Sequence, residues 1–242
     1  MLAVDRACDV NIVVAYTVVS QGTKTADFVA RFVATWLKYP PGVPVRLIAC
    51  CNGGPLDFEV GSMLALAGAE FYPRANEGAD LGGYMDVAKN FPSDMQLCLG
   101  ESCFFTRPGW MERLIQVWNR HGKGLYGFLA SKLLTLHINT TCFCLSPELF
   151  SAWAYPVDQR PARYSFEHGA DPFWRRVRAA GRPVRLVTFS GDYEPWEWRS
   201  TSNAFWQGDQ SDCLIHCCHT TRFAEAPPET KAKWTRNADR GL

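Results

Sequence analysis

Short apolar runs of strand length alternate along this chain with longer segments that place hydrophobic residues at helical spacing. The first run, residues 11–20, is rich in β-branched residues and predicts a buried strand. Later strand candidates are residues 43–52, 68–72, 95–99, 124–130, 134–145 and 183–190. The helical segments are residues 25–39, 56–66, 80–90, 108–118 and 167–180. This alternation predicts an α/β fold, a single domain with a mainly parallel central sheet flanked by helices on both faces.

The pattern changes near the C-terminus. From Gly191 onward the spacing becomes irregular and aromatic, and the last residues combine Pro227-Pro228 with mixed charge. Such composition is typical of a segment that is loosely held at the end of a domain. We therefore expect the domain to span residues 1–224 and a C-terminal tail to span residues 225–242.

Composition and charge exclude some classes of function. Hydrophobic residues make up 47% of the chain and charged residues 20%, a globular balance. The formal net charge of +1 argues against a general electrostatic grip on nucleic acid or on an anionic membrane. No apolar run reaches the roughly 18 residues of a spanning helix, and no signal-peptide pattern opens the chain. The ten cysteines among 242 residues lie mostly in apolar runs, which favours free thiols and a cytoplasmic location.

The segment from Arg74 to Gly83 concentrates polar and glycine residues just after a predicted strand. Open α/β sheets bind ligands beyond the carboxyl ends of their strands. An arginine there can grip a phosphate, and Asn76 and Asp80 can hold sugar hydroxyls. Gly82 and Gly83 permit a close approach of ligand to backbone. Equally, the segment reads as a polar loop in which Asp80 only caps the following helix.

A carboxylate also follows the strand at residues 95–99. Glu101 there can hold a hard divalent cation against a diphosphate, although a single carboxylate is a weak signal and no Asp-x-Asp pair is present. Its neighbour Ser102 and the strand-end residue Asn52 are further candidates for contact with a bound nucleotide.

Several of these motifs together resemble one enzyme family. The residues Asn76-x-Gly78-x-Asp80-x-Gly82, a strand ending in a polar triplet, and Pro-Gly-Trp at 108–110 resemble the GT-A fold of glycosyltransferases. The similarity continues through residues 137–147 and 166–169 to a helix followed by Gly-Arg-Pro-Val at 181–184, a pattern similar to rhamnan-synthesis and related family 2-like transferases. The resemblance covers residues 11–219.

The resemblance implies roles for particular residues. It places a general base at Glu167, with Asp171 four residues later on the same face if that helix is regular. A positioned carboxylate can take the proton of an acceptor hydroxyl as that hydroxyl attacks the anomeric carbon. The resemblance also implies a divalent cation, Mn²⁺ or Mg²⁺, on Glu101, with His216 or His219 completing the metal or diphosphate site. Alternatively, Glu167 is an acidic residue at a helix N-terminus, where the helix dipole stabilises it, and both histidines have ordinary structural roles.

Three more residues are candidates for acceptor binding. His137 lies in a strand pattern where it can face the cleft or serve as a hydrogen-bonded structural histidine. Trp196 and Trp198 offer flat faces to a sugar ring, or simply pack in the interior.

The sequence thus predicts a glycosyltransferase that moves a sugar from a nucleotide-sugar donor to a glycan or other hydroxyl acceptor, with inversion. The alternatives are a non-catalytic nucleotide-sugar or glycan-binding module on the same fold, and a nucleotidyltransferase. Nucleic acid is not an expected partner, and association with a membrane would be peripheral.

Overall fold

The computed structural model describes residues 10–131, 135–153, 157, 160–201 and 206–240. Strands and helices alternate in the first half of the chain as the hydrophobic pattern predicts. The strands are β1 (Ile12–Val19), β2 (Arg46–Asn52), β3 (Glu70–Arg74) and β4 (Met95–Leu99). The helices are α1 (Thr25–Lys38), α2 (Phe58–Leu66), α3 (Ala79–Asn90) and α4 (Trp110–His121).

The second half has shorter elements. Its strands are β5 (Leu125–Gly127), β6 (Ala130–Ser131), β7 (His137–Ile138), β8 (Cys142–Leu145), β9 (Val184–Val187) and β10 (Asp192–Tyr193). Its α-helices are α5 (Arg160–His168), α6 (Phe173–Ala179), α7 (Cys218–Glu225) and α8 (Pro228–Arg240), and 3₁₀ turns span Pro147–Ala152 and Pro195–Ser200.

Eight strands form one sheet in the order β10-β9-β5-β8-β4-β1-β2-β3. The pairs β1–β2, β1–β4, β2–β3 and β5–β9 are parallel, while β8 lies antiparallel between β4 and β5. The short strands β6 and β7 pair separately. We call the edge where β1–β4 end the carboxyl edge; the residues just before β8 reach the same edge because Cys142 pairs with Leu99. The predicted fold class, with a mainly parallel central sheet, is confirmed.

The core lies on both faces of this sheet. Alternate residues of β1 point to opposite faces, so that Val14 and Tyr16 pack under α1, α2 and α4, whereas Val13 and Ala15 pack under α3 and α6. On the first face the ring of Tyr16 stacks on Phe32 at 3.8 Å between centroids. Each such buried aromatic side chain contributes about 2 kcal/mol to folding, and together they fix the positions of the strand ends.

The predicted helix over residues 167–180 is wrong. Helix α5 ends at His168, and α6 begins at Phe173 with Pro172 as its N-cap. Proline has no N–H to continue a helix and disfavours helical backbone in the residue before it. Glu167 therefore lies at the end of one helix, and Asp171 in the turn before the next, so the two do not share a helical face.

The C-terminal residues are more ordered than a loosely held tail. Residues 228–240 form α8, whose Trp234 stacks on Trp206 at 5.3 Å and lies 6.3 Å from Phe223, with Ala238 buried. The hydrophobic contact of an amphipathic helix, rather than sequence propensity, accounts for this order. The division of the chain at residue 224 remains a prediction.

The cysteines of the described chain behave as the apolar runs predict. Nine of them are present as free thiols, and all but the half-buried Cys218 are buried. Among the described residues, no helix has the length and apolar character needed to cross a bilayer.

Candidate functional site at the carboxyl edge of the sheet

Asp80 reaches the carboxyl edge from the first turn of α3. The Thr17 hydroxyl, near the end of β1, donates to Asp80 Oδ1 at 3.1 Å. Burial raises the pKa of the Asp80 carboxyl, and the bond from Thr17 opposes this shift. A Cβ at Gly100 would lie 3.4 Å from Asp80 Oδ2. Residue 100 at the end of β4 is thus a direct neighbour of the Asp80 carboxylate.

Glu101 lies beside Asp80, one residue beyond Gly100. Its Oε2 accepts the Val19 N–H at 3.1 Å and the Thr25 hydroxyl at 3.2 Å, which ties the end of β1 and the start of α1 to the end of β4. Burial raises the pKa of Glu101, and the nearby Asp80 charge adds to that rise. Two carboxylates from different elements therefore meet at this point of the edge.

Glu167 occupies the other side of the site. Thr140, two residues before β8, holds both of its oxygens: the backbone N–H donates to Oε1 at 3.1 Å and the hydroxyl to Oε2 at 3.3 Å. His137 Nε2 lies 3.6 Å from Oε1, and His168 Nε2 lies 3.4 Å from Oε2. Burial raises the pKa of Glu167 to about 7, with the two bonds from Thr140 acting in the opposite direction.

Asp80 and Glu167 line the same cavity of about 270 Å³. Thr140, Arg163, Tyr164 and His168 complete its polar wall. The positive charge of Arg163 opposes the rise in the pKa of Asp80 that burial causes, so a cation and a carboxylate face one space. The cavity is open at the carboxyl edge, where open α/β sheets bind their ligands.

Arg74 does not reach this cavity, contrary to the prediction of a phosphate-binding role. Its guanidinium donates to Asn52 Oδ1 and Asp86 Oδ2, both at 2.6 Å, and to the Glu77 carbonyl at 2.7 Å. The Arg74 side chain is only 9% exposed. All three nitrogens bind the protein itself, so Arg74 and Asn52 hold the turn before α3. Asn76 is exposed on that turn.

Gly82 and Gly83 are required by packing rather than by ligand approach. A Cβ at Gly82 would lie 2.1 Å from the Glu77 carbonyl oxygen, and one at Gly83 would lie 3.0 Å from Cys50 Sγ and from Thr17 Cγ2. All three distances are shorter than ordinary van der Waals contact. These glycines let α3 lie close against β1 and β2, which places Asp80 at the edge.

The expected metal group of Glu101, His216 and His219 is not assembled. The His216 backbone pairs with Phe104 beside β4, and burial lowers the pKa of its half-buried ring to about 4. His219 lies in the first turn of α7. Within the described part of the chain, the group of three metal-ligating side chains with ligand atoms within 4.8 Å of one another is His137, Glu167 and His168. The metal role of His216 or His219 came from the family resemblance and not from their spacing, and the structure places one beside β4 and the other on α7.

The residues around Ser102 show how the C-terminal segment closes the site. The Cys218 N–H donates to Ser102 Oγ at 3.3 Å across 116 positions of sequence. The Cys217 thiol donates to Cys218 and lowers the pKa of the Cys218 thiol to about 5. Ser102 thus anchors α7, and Cys218 is a polar group at the edge.

The predicted acceptor residues lie elsewhere. Trp198 is fully buried, and its indole N–H donates to the Tyr193 carbonyl. Trp196 is 60% exposed under Arg178, but it follows β10, which runs back toward the amino end of β9 and so away from the carboxyl edge. His137 is buried and reaches Glu167 rather than the cavity. Asp171 pairs with Arg176 at 3.0 Å and is 60% exposed. The structure therefore does not bring Trp196, Trp198 or Asp171 to the site.

Comparison with known proteins supports the fold. No family model and no curated protein matches the sequence. Among solved structures, a mannosyltransferase from Pyrobaculum calidifontis, in complex with GDP-Man and Mn²⁺, is similar with a TM-score of 0.52 and 9% identity, over 95% of this chain and 69% of that chain. A cytidylyltransferase from Leptospira borgpetersenii has a TM-score of 0.49 and 11% identity, over 74% of this chain and 76% of that chain. At this identity the likeness to the mannosyltransferase shows a GT-A-like fold alone.

Proposed function

We propose that this protein is a glycosyltransferase that moves a sugar from a nucleotide-sugar donor to a hydroxyl acceptor. The observation that carries the proposal is that Asp80 and Glu167, from α3 and α5, line one cavity at the carboxyl edge. Where two carboxylates line one ligand-sized cavity, one can hold the donor and the other can accept a proton. The glycosyltransferase resemblance of the sequence around both residues supports this division.

The donor belongs on the Asp80 side of the cavity. In the described chain, Thr17 occupies one oxygen of Asp80, and Val19 and Thr25 occupy one oxygen of Glu101, which leaves a second oxygen of each carboxylate for a ligand. Such oxygens fit a Mn²⁺ or Mg²⁺ ion, which when bound would supply positive charge to a diphosphate leaving group. The cation of Arg163 faces the same space and would stabilise developing negative charge.

Glu167 is the proton acceptor in this proposal. Thr140 fixes the carboxylate through both oxygens, so its direction does not depend on the ligand. The acceptor hydroxyl attacks the anomeric carbon from the face opposite the diphosphate, the bond to the diphosphate breaks, and the hydroxyl proton passes to Glu167. A single displacement of this kind inverts the configuration at the anomeric carbon.

The test compares Glu167→Gln with Asp171→Asn over a panel of nucleotide sugars and simple glycan acceptors. Both changes remove one carboxylate charge from the same stretch of chain, but only Glu167 lines the cavity. We expect Glu167→Gln to lower kcat at least about 100-fold, as loss of a general base does, while donor binding measured by thermal shift persists. Asp171→Asn should behave as the unmodified protein.

Two results would contradict the proposal. If both variants lose sugar transfer equally, the loss does not depend on the position of Glu167 in the cavity. Donor binding without turnover over the whole panel would favour a nucleotide-sugar-binding module, and release of pyrophosphate from a nucleoside triphosphate would favour a nucleotidyltransferase.

A further inference from the structure

His137, Glu167 and His168 bring two imidazoles and a carboxylate together in a way that proton transfer alone does not require. One ligand atom from each lies within 4.8 Å of the other two. The separations are 3.6 Å from His137 Nε2 to Glu167 Oε1 and 3.4 Å from His168 Nε2 to Glu167 Oε2. Ligands about 2.0–2.1 Å from a tetrahedral Zn²⁺ ion are themselves about 3.4 Å apart. The two imidazole nitrogens each lie near this distance from a Glu167 oxygen, His137 from Oε1 and His168 from Oε2.

The ring of His137 is held in the orientation that a metal ligand needs. Its Nδ1 lies 2.7 Å from the Thr135 carbonyl oxygen. A carbonyl only accepts hydrogen bonds, so Nδ1 carries the proton and Nε2 presents its lone pair toward Glu167. A backbone carbonyl on the far ring nitrogen is the usual support of a metal-bound histidine. The side chain is 3% exposed, which prevents the ring from turning away.

His168 closes the group from the end of α5. Its ring meets the His137 ring edge-on at 3.9 Å between centroids, and it also lines the cavity that Asp80 shares. Among the described residues, its Nδ1 is buried and has no hydrogen-bond partner. Its Nε2 is the ring nitrogen that faces Glu167 and is the one placed to bind an ion.

We propose that His137, Glu167 and His168 form a binding site for a divalent transition-metal ion of the zinc type. Two imidazole nitrogens and one carboxylate oxygen suit Zn²⁺ and Co²⁺ and are a poor set for Mg²⁺ or Ca²⁺, which prefer oxygen ligands. Three protein ligands leave a fourth position, and Glu167 and His168 both face the cavity, so that position is open to water or a ligand oxygen.

This site is separate from a cation held with a diphosphate by Asp80 and Glu101, and it stands on geometry independently of the proposed function. Both proposals use the Glu167 carboxylate, and a carboxylate that is bound to an ion is not available to take a proton. Zn²⁺ at this site and proton transfer to Glu167 therefore exclude each other, and the ion should inhibit sugar transfer.

The experiment uses the full chain freed of metal by a chelator and titrated with Co²⁺, whose visible absorption reports a four- or five-coordinate site, and with Zn²⁺ by calorimetry. We expect one ion per chain. His168→Ala and Glu167→Gln should each weaken binding at least tenfold, and His219→Ala and Cys218→Ser should not change it. Thermal unfolding of each variant verifies that the fold is intact, and Glu167→Gln keeps the shape of the side chain if His168→Ala fails to fold.

Metal binding is read without any assay of sugar transfer, so this test and the test of the proposed function fail separately. The proposal is overturned if no ion binds, if the affinity is the same in Glu167→Gln as in the unmodified chain, or if Cys218→Ser or His219→Ala removes the binding instead.

Discussion

Individual side chains at the carboxyl edge divide into those that face the cavity and those that hold it in shape. Asp80 and Glu167 face it. Arg74 belongs to the second group, since the three nitrogens of its guanidinium donate hydrogen bonds to Asp86, Asn52 and the Glu77 carbonyl. A buried arginine that satisfies several acceptors leaves them unpaired when it is removed, and this is costly to the folded state.

Arg74→Ala should therefore lower the free energy of unfolding by about 2–3 kcal/mol, measured by urea denaturation. The matched control is Arg46→Ala, whose ion pair with Glu70 is about half exposed on both sides. Exposed pairs contribute less than about 1 kcal/mol, so the control should cost little. If Arg74→Ala leaves stability unchanged and weakens only nucleotide-sugar binding, the side chain is a ligand contact after all.

Sequence reasoning found the carboxylates of the site but neither Arg163 nor the groups that position the carboxylates. Asp80 and Glu101 were predicted because carboxylates near strand and helix ends follow from hydrophobic periodicity, and Glu167 was predicted from the glycosyltransferase resemblance. Thr17 and Thr140 were not, because each lies far along the chain from the carboxylate it contacts, 63 and 27 positions away. Uncharged hydroxyls at such separations leave no local pattern.

At the scale of elements, the position of α3 depends on two glycines that touch the turn before it and the strands beneath it. Gly82 faces the Glu77 carbonyl, so that any side chain there must push the helix away from the turn that Arg74 holds. Gly61 in α2 provides the contrast, since a Cβ there would meet nothing within 4 Å.

Gly82→Ala should destabilise the protein by about 1–3 kcal/mol through overpacking, while Gly61→Ala should stabilise it by about 0.5–1 kcal/mol because alanine is the better helix former. Unfolding of both variants in guanidinium chloride measures the two changes in stability, which should have opposite signs. Equal stability of the two variants would mean that the turn can yield, and that the close approach of α3 is not fixed by Gly82.

The bounds of longer strands could be predicted from the sequence, whereas strands of two residues could not. The strand at residues 95–99 was predicted at its observed bounds, since five buried residues between polar ones leave little choice. The paired strands β6, β7 and β10 have two residues each and carry no period to detect. The helix predicted over 167–180 failed at Pro172, where the missing N–H outweighed a continuous hydrophobic spacing.

For the whole molecule, the C-terminal residues decide how completely the carboxyl edge is enclosed. The segment from Cys213 to Glu225 returns to β4 through the Phe104–His216 pairing and the bond from Cys218 to Ser102. Helix α8 packs outside it, with Trp234 between Trp206 and Phe223. Closure of the edge therefore depends on contacts made by the last part of the chain.

Trp234→Ala should lower Tm by about 3–6 °C, as expected for a loss of 1–2 kcal/mol in a chain of this size. Trp196→Ala is the control: it removes the same side chain from a site that is 60% exposed and should shift Tm by less than about 2 °C. Differential scanning calorimetry measures both. Equal shifts would indicate that α8 adds no packing beyond that of a surface tryptophan.

The antiparallel strand β8 has a consequence for the distance between Thr140 and Glu101. Its register pairs Leu99 with Cys142, so the backbone ladder itself sets how far Thr140, and with it Glu167, stands from Glu101. Strands in a ladder keep a spacing of about 4.8 Å, and a slip of one residue would turn every side chain to the opposite face. The separation between Glu101 and the Thr140 backbone is thus set by the hydrogen bonds of the sheet rather than by side-chain rotamers, and any ligand held between Glu101 and Glu167 must fit a span that the sheet determines.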